Sequence, residues 1–159
     1  GETSRAHYRD SGILGRAGTT EGNGLINIGR SGSVPDQSTM LHEIYHRGQR
    51  ATPLHDDLER QFVERRIAAS SPENQVLRKL NEIYPDSGYR DWERAYEDEF
   101  LSAYIGKDYG TGRFLEVSPM AIQELTGRHL AGGSGKSLLE GGGGDLDMID
   151  WIIGMLAGL

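Results

Sequence analysis

The sequence predicts a mainly helical α+β domain with a few short strands. Apolar residues recur at the three- and four-residue spacing of amphipathic helices over much of the chain, and Ser-Pro or Thr-Pro pairs introduce several of these stretches. By contrast, GLINIGR (24–30) is the one apolar run with the composition of a strand. A chain of 159 residues fits one modest core, so we expect a single domain over 1–159.

The first part of the chain is predicted to be rich in loops. Residues 1–23 are polar and contain many glycines, so we expect a loosely ordered start before the strand at 24–30. Ser38 or Thr39 can cap the helix that follows, and Gly48 is well placed to end it.

Three helices are predicted in the middle of the chain. Thr52-Pro53 introduces one with an apolar residue at every fourth position. Ser71-Pro72 introduces a second, which stops before Pro85. A third is expected from about Asp91 to Ile105, because its large apolar residues lie on or near one face of a helix.

The last part of the chain is predicted to alternate between helices and flexible connections. Residues 107–117 have the composition of a turn or a short hairpin, and 118–126 that of a short helix. A glycine-rich loop is expected over 131–145. The apolar segment that ends the chain, 145–159, is expected to pack as a helix.

The composition excludes several classes of protein. The formal net charge is −7 and no block of Lys and Arg is present, which argues against a nucleic-acid partner. There is no cysteine, so a metal would have to be held by His, Asp or Glu. No apolar run approaches the roughly 20 residues that span a bilayer, and the polar start does not resemble a signal peptide. We therefore expect a soluble protein without a membrane partner, either a domain or a processed form of a longer chain.

The stretch HEIYH (42–46) is the strongest functional signal. Residues four apart lie on the same face of a helix, so His42 and His46 can offer two imidazoles to one ion. Glu43 lies close to the metal without having to bind it, and in zinc peptidases a glutamate at this position is the general base. We predict a Zn²⁺ site with Glu43 as a catalytic residue. The alternative is a pair of surface histidines on an ordinary helix.

A catalytic zinc needs a third protein ligand and an open position for water. Glu99 is the first choice, because it lies beside Phe100 in a segment whose other residues are expected to be buried, where an acid is costly unless it is paired or bound to a metal. Glu116 is the second choice, followed by Asp98 and Glu97. The alternative for the acidic run is a solvated face.

The motifs HEIYH (42–46) and EDEFLSAY (97–104) resemble those of zincin metallopeptidases of the gluzincin type. They are similar to the catalytic domain of anthrax lethal factor. The stretch FLEVSPMAIQEL also resembles phage- and toxin-associated metallopeptidases. The first resemblance implies a compact zincin-like fold, with His42, His46 and Glu99 as zinc ligands and Glu43 as the base. It also implies a polypeptide substrate that is added as a strand beside 24–30.

The resemblance has one clear departure. The family has a tyrosine seven residues before the ligand glutamate, which stabilises the developing oxyanion, and Trp92 occupies that position here. An oxyanion donor is typically worth about 3–4 kcal/mol, so we expect a substitute nearby. Tyr89 and Tyr96 are the candidates, and Tyr89 is our prediction. Ordinary packing is the alternative for either ring.

We therefore predict a zinc-dependent endopeptidase, with a toxin, effector or processing role as an extension of the resemblance. One alternative is a catalytically inactive, zincin-like structural or interaction domain of a phage or toxin protein. Another is an ADP-ribosyltransferase that uses Glu97 and Glu99. Such sites need strand and turn contexts, whereas 96–104 is predicted to be a helix.

Overall fold

The computed structural model of the chain describes residues 7–10, 18–19, 25–28, 37–85, 88–97, 100–110, 112–126 and 145–158. Most of these residues are helical, which confirms the predicted mainly helical class. The α-helices are α1 (Gln37–Ala51), α2 (Pro53–Ala69), α3 (Leu80–Ile83), α4 (Val117–Leu125) and α5 (Leu146–Ala157), and a 3₁₀ helix covers Ala103–Gly106. The strands are β1 (His7–Asp10), β2 (Gly18–Thr19), β3 (Leu25–Ile28), β4 (Arg78–Lys79), β5 (Arg94–Ala95) and β6 (Lys107–Asp108).

The first sheet has the strand order β1-β3-β2 and contacts α1. β3 confirms the strand predicted at 24–30, and β1 and β2 come from the segment 1–23. β3 runs parallel to β1 and antiparallel to β2, so Ile26 and Asn27 have partners on both sides. A peptide can be added only to the edge of a sheet, where backbone groups are unpaired. Ile26 and Asn27 are therefore not free to pair with an added strand, and the prediction that a substrate strand is added beside 24–30 stays a prediction for the rest of that range.

The helix that contains HEIYH is longer than predicted. α1 begins at Gln37, one residue before Ser38, and continues past Gly48 to Ala51. A glycine ends a helix by adopting a left-handed conformation, and Gly48 is not among the described glycines with positive φ. The predicted end at Gly48 is therefore wrong. The start of the next helix is confirmed, because α2 begins at Pro53.

Two of the predicted central helices are mostly replaced by turns and a second sheet. Residues 71–77 form turns, and only α3 remains of the helix expected there. No α-helix is present in the described part of 91–105. The strands β4, β5 and β6 instead form an antiparallel sheet that pairs the backbone of β5 on both sides. The 3₁₀ helix then closes with Gly106, where a side chain would meet the carbonyl oxygen of Tyr96 at 2.5 Å.

The predicted turn and the last two helices are confirmed. After β6, backbone hydrogen bonds join Arg113 to Tyr109 and Gly110 as in a turn, α4 covers most of 118–126, and α5 lies within 145–159. Residues 131–144 of the predicted glycine-rich loop lie outside the described residues. Asp145 belongs to the folded part, because its carboxylate accepts a hydrogen bond from the backbone of Met148 at the start of α5.

The main core joins α2, α4 and α5 to the segments between them. Its buried members include Phe62, Val63, Phe100, Ile105, Val117, Met120, Met148 and Ile152. A smaller cluster of Leu80, Ala95 and Ala103 lies beside the second sheet. In the described part of the chain, no helix combines the length and the apolar character needed to cross a membrane.

Candidate metal centre

Three side chains from two helices converge on one point. His42 and His46 lie one turn apart on α1, and Glu116 is the residue immediately before α4, the helix against which α1 packs most extensively. The two imidazole Nε2 atoms are 3.1 Å apart. The Oε2 atom of Glu116 is 3.3 Å from Nε2 of His42 and 3.5 Å from Nε2 of His46.

These separations fit a metal ion. Zinc binds histidine nitrogen and carboxylate oxygen at about 2.0–2.1 Å, and a tetrahedral arrangement then keeps the ligand atoms roughly 3.4 Å apart. The three measured distances lie close to this value. All three atoms carry lone pairs suited to metal binding. The His42–His46–Glu116 group could therefore hold a metal ion, and three protein ligands would leave a position open.

Burial and charge act in opposite directions on this group. Glu116 is only 1% exposed, which alone would raise its pKa, but hydrogen bonds and charge interactions with His42 and His46 outweigh burial and hold the pKa well below its usual range. Burial works to lower the pKa of His46, while Glu116, Gln49 and Glu43 raise it by more. The carboxylate therefore favours the protonated form of His46.

Two tyrosines hold the other oxygen of the Glu116 carboxylate. The hydroxyl of Tyr104 donates a hydrogen bond to Oε1 over 2.9 Å, and the hydroxyl of Tyr109 donates to the same atom. Burial and the negative charge of Glu116 raise the pKa of both phenols, so both remain protonated donors. Oε1 is thereby occupied, and Oε2 is the oxygen that faces the two histidines.

A tight turn presents Tyr109 to the carboxylate. The backbone N–H of Tyr109 donates to the carbonyl of Arg113 over 2.9 Å, and the N–H of Gly110 donates to the side chain of Asp108 over 2.8 Å. Gly110 has a φ of +89°, a conformation that side-chain-bearing residues rarely adopt. The turn leaves Tyr109 45% exposed, although its hydroxyl points inwards.

Glu43, the predicted base, is buried next to the first histidine. It is 4% exposed and follows His42 directly on α1. Its charge contributes to the raised pKa of His46, so it acts on the cluster without being one of the converging ligands. A carboxylate in this position can take up and release a proton beside a bound metal.

The acids named as possible third ligands have different positions. Glu99, the first choice, and Asp98 lie outside the described residues. Glu97 lies just after β5 and forms an ion pair with Arg78. Glu116 is the acid that the described structure brings to the histidines. The described residues around Glu97 are not helical, so the helical context that counted against an ADP-ribosyltransferase is not present there.

Tyr89, the predicted oxyanion donor, lies behind another tyrosine. Its ring stacks on Tyr104 with 5.7 Å between the ring centroids, and it also packs near Tyr84. The hydroxyls that contact the ligand carboxylate are those of Tyr104 and Tyr109, which sequence reasoning missed. The role of Tyr89 stays a prediction.

Comparison of the chain with protein-family models, with curated proteins and with solved structures finds no match. The resemblance to zincin metallopeptidases therefore stays a prediction that is based on the two short motifs. The functional argument rests on the geometry of the site itself.

Proposed function

We propose that the chain is a zinc-dependent endopeptidase domain, with His42, His46 and Glu116 as the metal ligands and Glu43 as general base. The observation that carries the proposal is the convergence of three ligand atoms at metal-binding separations beside a buried glutamate that does not join them. Structural zinc sites normally have four protein ligands, whereas this group offers three in the described residues. A site with an open position and an adjacent base suits hydrolysis.

The ligand set alone does not select zinc. Two histidines and one carboxylate also form the facial triad of iron oxygenases. Glu43 favours the hydrolytic alternative, because the HExxH pattern on a helix places a proton acceptor next to the metal, a group for which oxygen chemistry has no evident use. The absence of cysteine is compatible with either metal, so the metal itself has to be measured.

The proposed roles of the protein groups are supported by their positions in the site. When bound, zinc would polarise the scissile carbonyl and lower the pKa of water at the open position. Glu43 accepts the proton of the attacking water and returns it to the leaving amine. The buried Glu116 carboxylate provides negative charge that favours a cation, and Tyr104 and Tyr109 keep its second oxygen engaged. One of these hydroxyls, that of Tyr109, belongs to a partly exposed ring that a substrate can approach.

The direct test compares the wild-type protein with Glu43→Gln and His46→Ala. Metal content is measured by elemental analysis, and cleavage of an unfolded protein and a peptide library is followed by mass spectrometry. We expect Glu43→Gln to keep zinc and lose cleavage, and His46→Ala to lose both. Cleavage by Glu43→Gln at the wild-type rate would contradict the proposed base, and iron in place of zinc would contradict the proposed chemistry.

A further inference from the structure

A second layer of buried polar residues lies behind His46. The Nδ1 atom of His46 is 2.8 Å from Oε1 of Gln49, three residues along α1. The Nε2 atom of Gln49 donates to both carboxylate oxygens of Glu59, over 2.8 and 2.9 Å, and to the carbonyl of Leu115 over 3.0 Å. Gln49 is 2% exposed and Glu59 is fully buried.

The same carboxylate also holds the segment that carries Glu116. Oε1 of Glu59 accepts a hydrogen bond from the backbone N–H of Ser118 over 3.0 Å. Leu115 and Ser118 lie on either side of Glu116 in the chain, and both are bonded within this layer. The pair Gln49–Glu59 therefore connects α1, α2 and the start of α4 at the point where the ligands meet.

The hydrogen bonds fix which nitrogen of His46 is available. The carbonyl of Leu115 can only accept, so the amide nitrogen of Gln49 must face it and Oε1 must face His46. Oε1 can only accept, so Nδ1 of His46 carries the proton and Nε2 keeps its lone pair. Nε2 is the atom that faces His42 and Glu116. In metal sites the partner of the distal nitrogen sets the tautomer and the ring orientation of the ligand.

Stability alone gives no clear reason for this layer. A fully buried carboxylate is costly, and well-packed apolar residues of the same volume often stabilise a protein as well or better. The hydrogen bonds of this layer end on His46 and on the residues that flank Glu116. At a binding site, such bonds hold the ligands in the positions that a metal requires.

We infer that Gln49 and Glu59 are positioning residues that preset His46 and the Glu116 segment for metal binding. This inference rests on the metal site of the proposed function. Neither residue touches the metal position, so each acts through a ligand. Changes to such second-layer partners typically weaken metal affinity about 10–100-fold.

The test measures zinc affinity by competition with a chromophoric chelator at constant pH. Gln49→Leu removes the amide with little change in size, and Glu59→Gln is the conservative variant for the case in which Gln49→Leu does not fold. Gln75→Leu is the matched control, since Gln75 is exposed and its side-chain amide donates to the backbone carbonyl of Ser70, outside the ligand cluster. Ile152→Val lowers stability at a core residue of α5 that is not one of the converging ligands, and so controls for destabilisation.

We expect zinc affinity to fall about 10–100-fold in Gln49→Leu, to fall by less in Glu59→Gln, and to stay at the wild-type value in both controls. Nitrogen-15 NMR of the metal-free protein, at a pH above the raised pKa of His46, should report the Nδ1-protonated tautomer in the wild type and its loss in Gln49→Leu. If zinc binds the wild type and the folded Gln49→Leu variant equally well, or if Ile152→Val loses as much affinity, the inference is wrong and the proposed function stands. If the wild type binds no zinc, both are wrong.

Discussion

Two buried polar clusters in this protein balance their charge in different ways. Arg66 and Asp145 form a close ion pair between α2 and the start of α5, with Nη1 at 2.6 and 2.7 Å from the two carboxylate oxygens. The guanidinium also lies 4.5 Å from the centroid of the Phe100 ring. The three groups that converge as His42, His46 and Glu116 include no arginine or lysine, and there the carboxylate instead raises the pKa of His46 and so favours a proton on that imidazole.

The difference concerns whether the cation can be exchanged. The charge of arginine is permanent at any pH that proteins experience, so the first cluster is complete as it stands. A proton on an imidazole can be displaced by a metal, and metal binding requires that displacement. The first cluster thus stabilises the fold, whereas the second is built from groups that a metal ion can use.

The largest expected effect comes from removal of the proposed base, Glu43. This change leaves the three metal ligands in place and removes only the group that transfers the proton, so it separates metal binding from hydrolysis. In Glu43→Gln we expect peptide hydrolysis to fall about 10²–10⁴-fold, the usual contribution of a general base, with zinc content unchanged. The measurement is initial cleavage rate per zinc-loaded protein. His55→Gln, at a buried histidine outside the ligand cluster, is the control and should retain the wild-type rate if it folds.

Breaking the permanent ion pair should cost stability and spare the metal. Arg66→Met leaves Asp145 buried without its arginine partner, which typically lowers the free energy of unfolding by about 3–5 kcal/mol. Urea denaturation provides the measurement. The double variant Arg66→Met/Asp145→Asn should recover much of the loss, since asparagine is neutral and can still cap α5. Zinc affinity of the folded protein should not change, and a large loss of affinity would show that the two clusters are not independent.

Glu59 gives the metal-free protein a pH-dependent stability. Burial raises the pKa of this carboxyl from 4.5 to about 7, against the opposing effect of its hydrogen bonds with Ser118 and Gln49. Because the folded pKa lies above the unfolded one, the stabilising contribution is fully present below about pH 4.5 and is lost as the pH rises through about 7. The shift corresponds to about 3 kcal/mol. Unfolding free energies of the wild type and Glu59→Gln, measured from about pH 4 to about pH 8, should converge at the acidic end.

The smallest expected effect comes from one of the hydroxyls on Glu116. Tyr104→Phe removes a hydrogen bond to Oε1 and keeps the ring that stacks on Tyr89. A single hydrogen bond to a charged group is worth about 1.5–3 kcal/mol, and the remaining Tyr109 bond should limit the loss of zinc affinity to about tenfold. Chelator competition measures it. Tyr84→Phe, which leaves the ligand carboxylate untouched, serves as the matched control, and an equal loss in that variant would assign the effect to packing.

Local patterns were sufficient for the part of the site that lies on one helix. The spacing of His42 and His46 is a property of α1 alone and could be read from the sequence. Glu116 is far along the chain and meets the histidines only because α1 packs against α4, which no local pattern encodes. One signal was present, because Glu116 is an acid within the apolar run Phe114 to Val117.

Helices marked by a local sequence signal could be predicted, whereas segments that pair with distant strands could not. Pro53 and Pro119 mark helices that form, because proline at a helix start is favoured by its own backbone angle. The helix expected at 91–105 failed because β5 is paired with strands from before and after it. Ala95, Ala103 and Ile105 are buried there by the sheet and the 3₁₀ turn, whereas Trp92 is 68% exposed.

The central claim is that Glu116 completes a metal site with His42 and His46. The most direct measurement is the zinc content and zinc affinity of the wild type, Glu116→Ala and Glu99→Ala, purified side by side and checked for folding by circular dichroism. We predict near-stoichiometric zinc in the wild type and in Glu99→Ala, and loss of tight binding in Glu116→Ala. Zinc retained by a folded Glu116→Ala variant and lost by Glu99→Ala would contradict the site described here.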